Sequence, residues 1–130
     1  MSRYFTLKEA NETLALLRPK VEEILRIRAD VLARQPELWP AIQRSVGNGG
    51  SAELSRLYLD FERLDQLAHQ IQDLGVYIKD LSVGLMDFPA LREGREIYLC
   101  WRFGEERVEH WHELEAGFAG RQRIDWDDAL

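Results

Sequence analysis

Apolar residues recur in steps of three and four up to about residue 74 and in steps of two after Gly75, so the chain divides into a helical part and a sheet part. In the first part Leu7, Ala10, Leu14, Leu17, Val21, Ile24 and Val31 form a heptad-like stripe that Arg28 interrupts. Thr6 stands before it with Glu9 three residues on, the signature of a capping box. Pro19 removes one helical hydrogen bond, yet the stripe keeps its phase across it. One long kinked helix over 6–34 is therefore predicted. Pro36, Pro40 and the run Gly47-Asn48-Gly49-Gly50 predict an irregular connection over 36–50, with Leu38, Trp39 and Ile42 in a short helical turn. Ser51 is placed to cap a second helix over 51–74, where Leu54, Leu57, Phe61, Leu64, Ala68 and Ile71 repeat the spacing and Gly75 ends it. Two helices with matching seams predict an antiparallel hairpin.

Beyond Gly75 the candidate strands are Val76-Tyr77-Ile78, Leu85 to Ala90, Arg95 to Phe103 and Val108 to His112. They predict a β-meander over 76–112 followed by a loop and tail over 113–130. The expected fold is one α+β domain, 1–130, with a long antiparallel helical hairpin packed against one face of a small antiparallel β-meander.

Register decides which side chains share a face, because a slip of one residue exchanges the faces. A four-residue loop over 91–94 opposes Ala90 to Arg95, so that Phe88 meets Ile97 and Met86 meets Leu99 inside, with Asp87 against Tyr98 outside. A three-residue loop over 104–106 puts Trp111 opposite Leu99, His112 opposite Tyr98 and His110 opposite Cys100. A loop of two or four residues turns Val108, His110 and His112 inward instead. The first register is preferred, since burying Trp is favourable and burying two imidazoles demands partners.

In that register the outer face gathers Asp87, Tyr98, Cys100, His110 and His112. Imidazole serves as base or ligand, carboxylate orients it, and thiolate is a nucleophile or soft ligand. His110 and His112 are candidate metal ligands, because alternate strand residues point the same way. The simpler alternative is a Tyr-Asp-His hydrogen-bond network holding the C-terminal segment over an otherwise open face. Arg121, in the glycine-rich loop from Gly117 to Gly120, is suited to clamp a carboxylate, with Asp87 or Glu105 as internal partners and a small anionic ligand as the alternative. His69 lies off the helical seam and is expected in solvent, and Trp126 is placed to dock the tail.

The net charge of −6 argues against a nucleic-acid backbone or an anionic membrane as partner. The glycine run lacks the Lys-Ser/Thr ending of a phosphate loop. A single Cys forms no intrachain disulfide, and neither a signal peptide nor a membrane-length apolar run is visible, so a cytoplasmic protein is expected.

Several blocks carry a resemblance. They are Phe5-Thr6-Leu7-x-Glu9-Ala10-Asn11, Gly75-Val76-x-Ile78-Lys79-Asp80, Gly84-Leu85-x-Asp87-Phe88-Pro89-Ala90, Leu99-Cys100-Trp101-Arg102-x-Gly104-Glu105, Trp111-His112 and Gly117-Phe118-Ala119-Gly120-Arg121-Gln122. Together they resemble the bacterial domain-of-unknown-function family 2203 over nearly the whole chain. The resemblance implies a small cytosolic bacterial protein and carries no activity. It directs attention to Asp87, Cys100, Glu105, His112 and Arg121, with His110 in a freer position. Arg123 departs from the proline that often follows the last block.

Two function classes follow. One is a non-enzymatic interaction or scaffold module that self-associates as a dimer, since Tyr58, Leu67 and Leu74 widen the helical seams. The other is a small-ligand or metal-dependent enzyme working on the polar face around Asp87, Tyr98, Cys100, Glu105, His112 and Arg121.

Overall fold

A computed structural model describes residues 3–45 and 52–126. Three helices, α1 (Leu7–Ala33), α2 (Gln35–Ser45) and α3 (Ala52–Asp73), precede an antiparallel sheet of β1 (Tyr77–Asp80), β2 (Leu85–Arg92), β3 (Arg95–Arg102), β4 (His110–His112) and β5 (Gln122–Arg123). The strands lie side by side in chain order. The fold is α+β, as the change of period predicts.

α1 starts where the capping box places it. The Thr6 side chain accepts from the Glu9 amide at 3.0 Å, and the Glu9 carboxylate accepts from the Thr6 amide at 2.9 Å. Pro19 lies within this single helix. Ala10, Leu14, Leu17, Val21 and Ile24 of its stripe are buried. The α1–α3 seam is edged by charge pairs, Glu23 with Arg63 and Asp30 with Arg56, and Arg34 also bonds Asp60.

Two helical expectations are corrected. The stretch read as irregular is an 11-residue helix, α2, running through both prolines. Pro36 stands in the first turn, where amide N–H groups have no intrahelical acceptor. Pro40 leaves only the Pro36 carbonyl without its helical donor, and both prolines are on the exposed side of the helix. Among the described side chains of α2, Ala41 is buried, whereas Trp39 and Ile42 are exposed. In α3 Leu67 and Ile71 are buried and Leu64 of the predicted row packs against the core, whereas Phe61 of the same row is 54% exposed. The Ser51 cap and the glycine run lie outside the described residues.

The β2–β3 hairpin is also tighter than expected. Arg92 pairs with Arg95, and the register continues through Ala90 with Ile97, Phe88 with Leu99, Asp87 with Cys100 and Met86 with Trp101. Glu93 and Gly94 make a two-residue turn with φ of 54° and 78°. Both values match the mirror-image turn whose twist suits flanking strands. The offset from the predicted pairing is two residues, so every side chain keeps its predicted face. The second register is as preferred: Tyr98 with His112, Leu99 with Trp111, Cys100 with His110.

Met86, Phe88, Ile97, Leu99 and Trp101 pack with the helical stripe in one core, joined by Phe5, whose ring meets Phe88 edge-on at 5.2 Å. Two longer links fasten the sheet to α1. Asn11 bonds both backbone groups of Val108, and Arg18 donates to the Glu106 carbonyl. Gly84 must lack a side chain, because a Cβ there would fall 2.7 Å from Phe103 Cβ.

Candidate functional site

Alternation along β2 and β3 sends Asp87 and Cys100 to the face away from the helices, and their direct pairing makes them neighbours. His112, on β4, reaches over β3 to the same carboxylate: its Nε2 lies 3.0 Å from Asp87 Oδ1. Its Nδ1 lies 2.6 Å from the Glu113 carbonyl. A carbonyl only accepts, so Nδ1 carries a hydrogen and Nε2 is turned to the Asp87 carboxyl.

The outer face is not open. Leu85 to Ala90 are buried on both sides of β2, with Asp87 and Cys100 at 0% exposure and His112 at 2%. Burial dominates the electrostatics. It raises the Asp87 carboxyl above its usual range against the opposing pull of His112, Lys79 and the Cys100 thiol. It pushes the Cys100 thiol up to about 12, with the Asp87 charge adding to the effect. A thiol in that condition is a poor nucleophile.

Among the described residues Tyr98 takes part through its ring, with no hydrogen bond from its hydroxyl. It tilts against the His112 imidazole at 5.5 Å and meets Tyr77 edge-on at 5.8 Å. Lys79 lies over the same ring at 5.0 Å, with its Nζ 3.9 Å from Asp87 Oδ2. Pattern reading passed over Lys79 and Tyr77. Their signal was parity, for Tyr77 pairs with Asp87 across β1 and β2, and Lys79 is two residues further along.

Glu105 and Arg121 form a second cluster beside the first. Arg121 Nη2 donates to both Glu105 oxygens, at 2.8 and 2.7 Å. Glu105 also accepts from the Arg102 amide at 2.7 Å, and His110 Nδ1 stands 3.6 Å from its other oxygen. Of the two internal partners considered for Arg121, the structure supplies Glu105. The segment from Glu113 to Arg121 returns through a 3-10 turn, Phe118–Gly120, and stacks Phe118 on the Arg121 guanidinium at 4.8 Å. Trp126 then packs on Trp111 at 5.5 Å, under Arg92. The six sequence candidates thus fall into two neighbouring groups, Asp87, Tyr98, Cys100 and His112 in one and Glu105 and Arg121 in the other. His110 joins the second, and the two histidines have different partners. His69 is exposed on α3 beside Asp65.

A helical hairpin on one side of a five-stranded meander, with a buried Asp-Cys-His cluster on the other, defines a small α+β domain with a polar second core. The chain belongs to the family described as an uncharacterized conserved protein, DUF2203, whose model matches residues 3–124. No curated protein and no solved structure matches it. Among the described residues, no helix is long and apolar enough to cross a membrane.

Proposed function

We propose that this protein is a non-enzymatic cytoplasmic interaction module that self-associates through the distal half of its helical hairpin. One observation carries this reading. Leu32 lies five turns beyond Leu14 on the same face of α1, yet Leu14 is 3% exposed and Leu32 47%. The 27 residues of α1 extend roughly 40 Å, whereas an eight-residue strand covers about 26 Å. The sheet therefore backs only part of the hairpin. All the buried α1 positions fall between Ala10 and Ile24, and those of α3 are Leu67 and Ile71.

The uncovered end is rich in aromatic surface: Trp39 is 64% exposed, Tyr58 67% and Phe61 54%. Tyr58 and Phe61 are three apart on α3 and so lie on one side of it. A second copy of the chain supplies a matching surface by two-fold symmetry, the commonest route to a soluble oligomer. The polar face weighs the same way, since a buried carboxyl and a protonated, buried thiol offer a substrate little access.

The test is sedimentation equilibrium at roughly tens of micromolar protein, a range where weak interfaces still form. A dimer is expected, with Tyr58→Arg/Phe61→Arg monomeric and unchanged in far-ultraviolet circular dichroism. A monomeric wild-type chain overturns the proposal.

A further inference from the structure

Outside the hairpin, the arrangement that asks most for an explanation is the buried cluster. The Asp87 carboxylate, the Cys100 Sγ and a His112 ring nitrogen offer one oxygen, one sulfur and one nitrogen, all within 4.8 Å of one another. Asp87 Oδ2 is fully buried and has no hydrogen-bond partner among the described residues. A buried carboxylate oxygen left without a donor is costly, and native proteins rarely keep one without an ion or a water to satisfy it. We propose that Asp87, Cys100 and His112 bind one divalent transition-metal ion, of the zinc type, within the outer face of the sheet.

The donor set selects the class of ion. Thiolate disfavours magnesium and calcium, while mixed sulfur, imidazole and carboxylate ligation suits zinc and its neighbours. Tetrahedral zinc ligands lie roughly 3.5 Å apart given bond lengths near 2.1 Å, so donors already within 4.8 Å need only a small contraction. The second Asp87 oxygen or a water completes the shell. His112 is oriented as zinc-binding imidazoles are, with its remote Nδ1–H held by the Glu113 carbonyl and Nε2 turned to the site.

Lys79, whose Nζ stands 3.9 Å from Asp87 Oδ2, opposes a cation there, but its side chain is 42% exposed and can turn toward water.

The experiment titrates cobalt(II) into full-length protein stripped with a chelator, in weak buffer. Cys100 is the only cysteine, so a thiolate-to-cobalt charge-transfer band identifies it as a ligand without a variant. The expected result is a band saturating at one equivalent, loss of the band when zinc is added, and a higher unfolding midpoint with zinc. Cys100→Ser should lose the band. Absence of the band in the folded wild-type chain, or a band surviving in Cys100→Ser, overturns the proposal. The monomeric hairpin variant should bind the ion equally, which separates this inference from self-association.

Discussion

The two faces of the sheet are made from alternate residues of the same strands, and where β2 meets β3 at Asp87 and Cys100 the outer face is as deeply buried as the inner. Phe88 and Trp101 on the inner face are 0% exposed, and so are Asp87 and Cys100 on the outer. What holds each face differs. The inner side chains gain by leaving water, and any well-shaped apolar neighbour serves them. The outer ones lose by leaving water and are retained only through particular partners: the Glu113 carbonyl and Asp87 for His112, Glu105 for Arg121. Burial alone therefore says little about what a position tolerates. The inner face should feel changes of volume, the outer face changes of hydrogen-bonding valence.

The largest expected effect is on the inner face. Phe88→Ala removes a ring packed on Phe5 and leaves a cavity, and should cost about 3–5 kcal/mol in chemical denaturation. Met86→Leu, which nearly conserves volume, should cost less than about 1.5 kcal/mol. Equal losses from the two would break the contrast.

On the outer face His112→Gln keeps much of the size and should still cost about 1–3 kcal/mol, because it disturbs a fully buried polar pair. Asp87→Asn/His112→Gln should cost less than the sum of its two single changes, since the residues share one hydrogen bond. Additive losses would mean that the pair is not coupled.

The smallest effect is a pH dependence of defined sign. Burial raises the folded-state pKa of Asp87 above its unfolded value, so the folded chain binds the extra proton. This contribution is fully present below the ordinary aspartate value of about 4 and is lost as pH rises through the raised folded value. The half-buried Glu23 behaves oppositely. Its hydrogen bond from Arg63 lowers its pKa, and its contribution is lost as pH falls through the lowered value. Unfolding midpoints measured against pH should show Asp87→Asn losing less stability than wild type as pH rises above about 4. The opposite ordering would show that Asp87 is favoured as the anion.

The helix start at Thr6 is legible because a capping box is closed by two residues three apart and needs no tertiary partner. The inner and outer faces of β2 and β3 are legible for a similar reason. A misjudged turn displaced the pairing by two residues, and a strand repeats every two. Glu93 hid that turn, since a Glu at positive φ lacks the sequence signal that Asn-Gly carries. The preference for Trp111 inside gave the correct pairing on a premise that needed revision. Trp111 is only partly buried, and His112 is more buried than Trp111.

Local patterns by themselves determined the α+β class, the continuous first helix and the parity that places Asp87, Cys100 and His112 together, because each depends on neighbours within a few residues. Tertiary structure decided the rest. Continuation of α2 through Pro36 and Pro40 depends on both prolines lying on its exposed side, with Ala41 turned to the interior. The pairing of Arg121 with Glu105 depends on where a loop 16 residues away returns. The burial of Asp87 depends on neighbouring elements screening the outer face. No periodicity reports these, since each is a contact between segments whose separation in sequence says nothing about their distance in space.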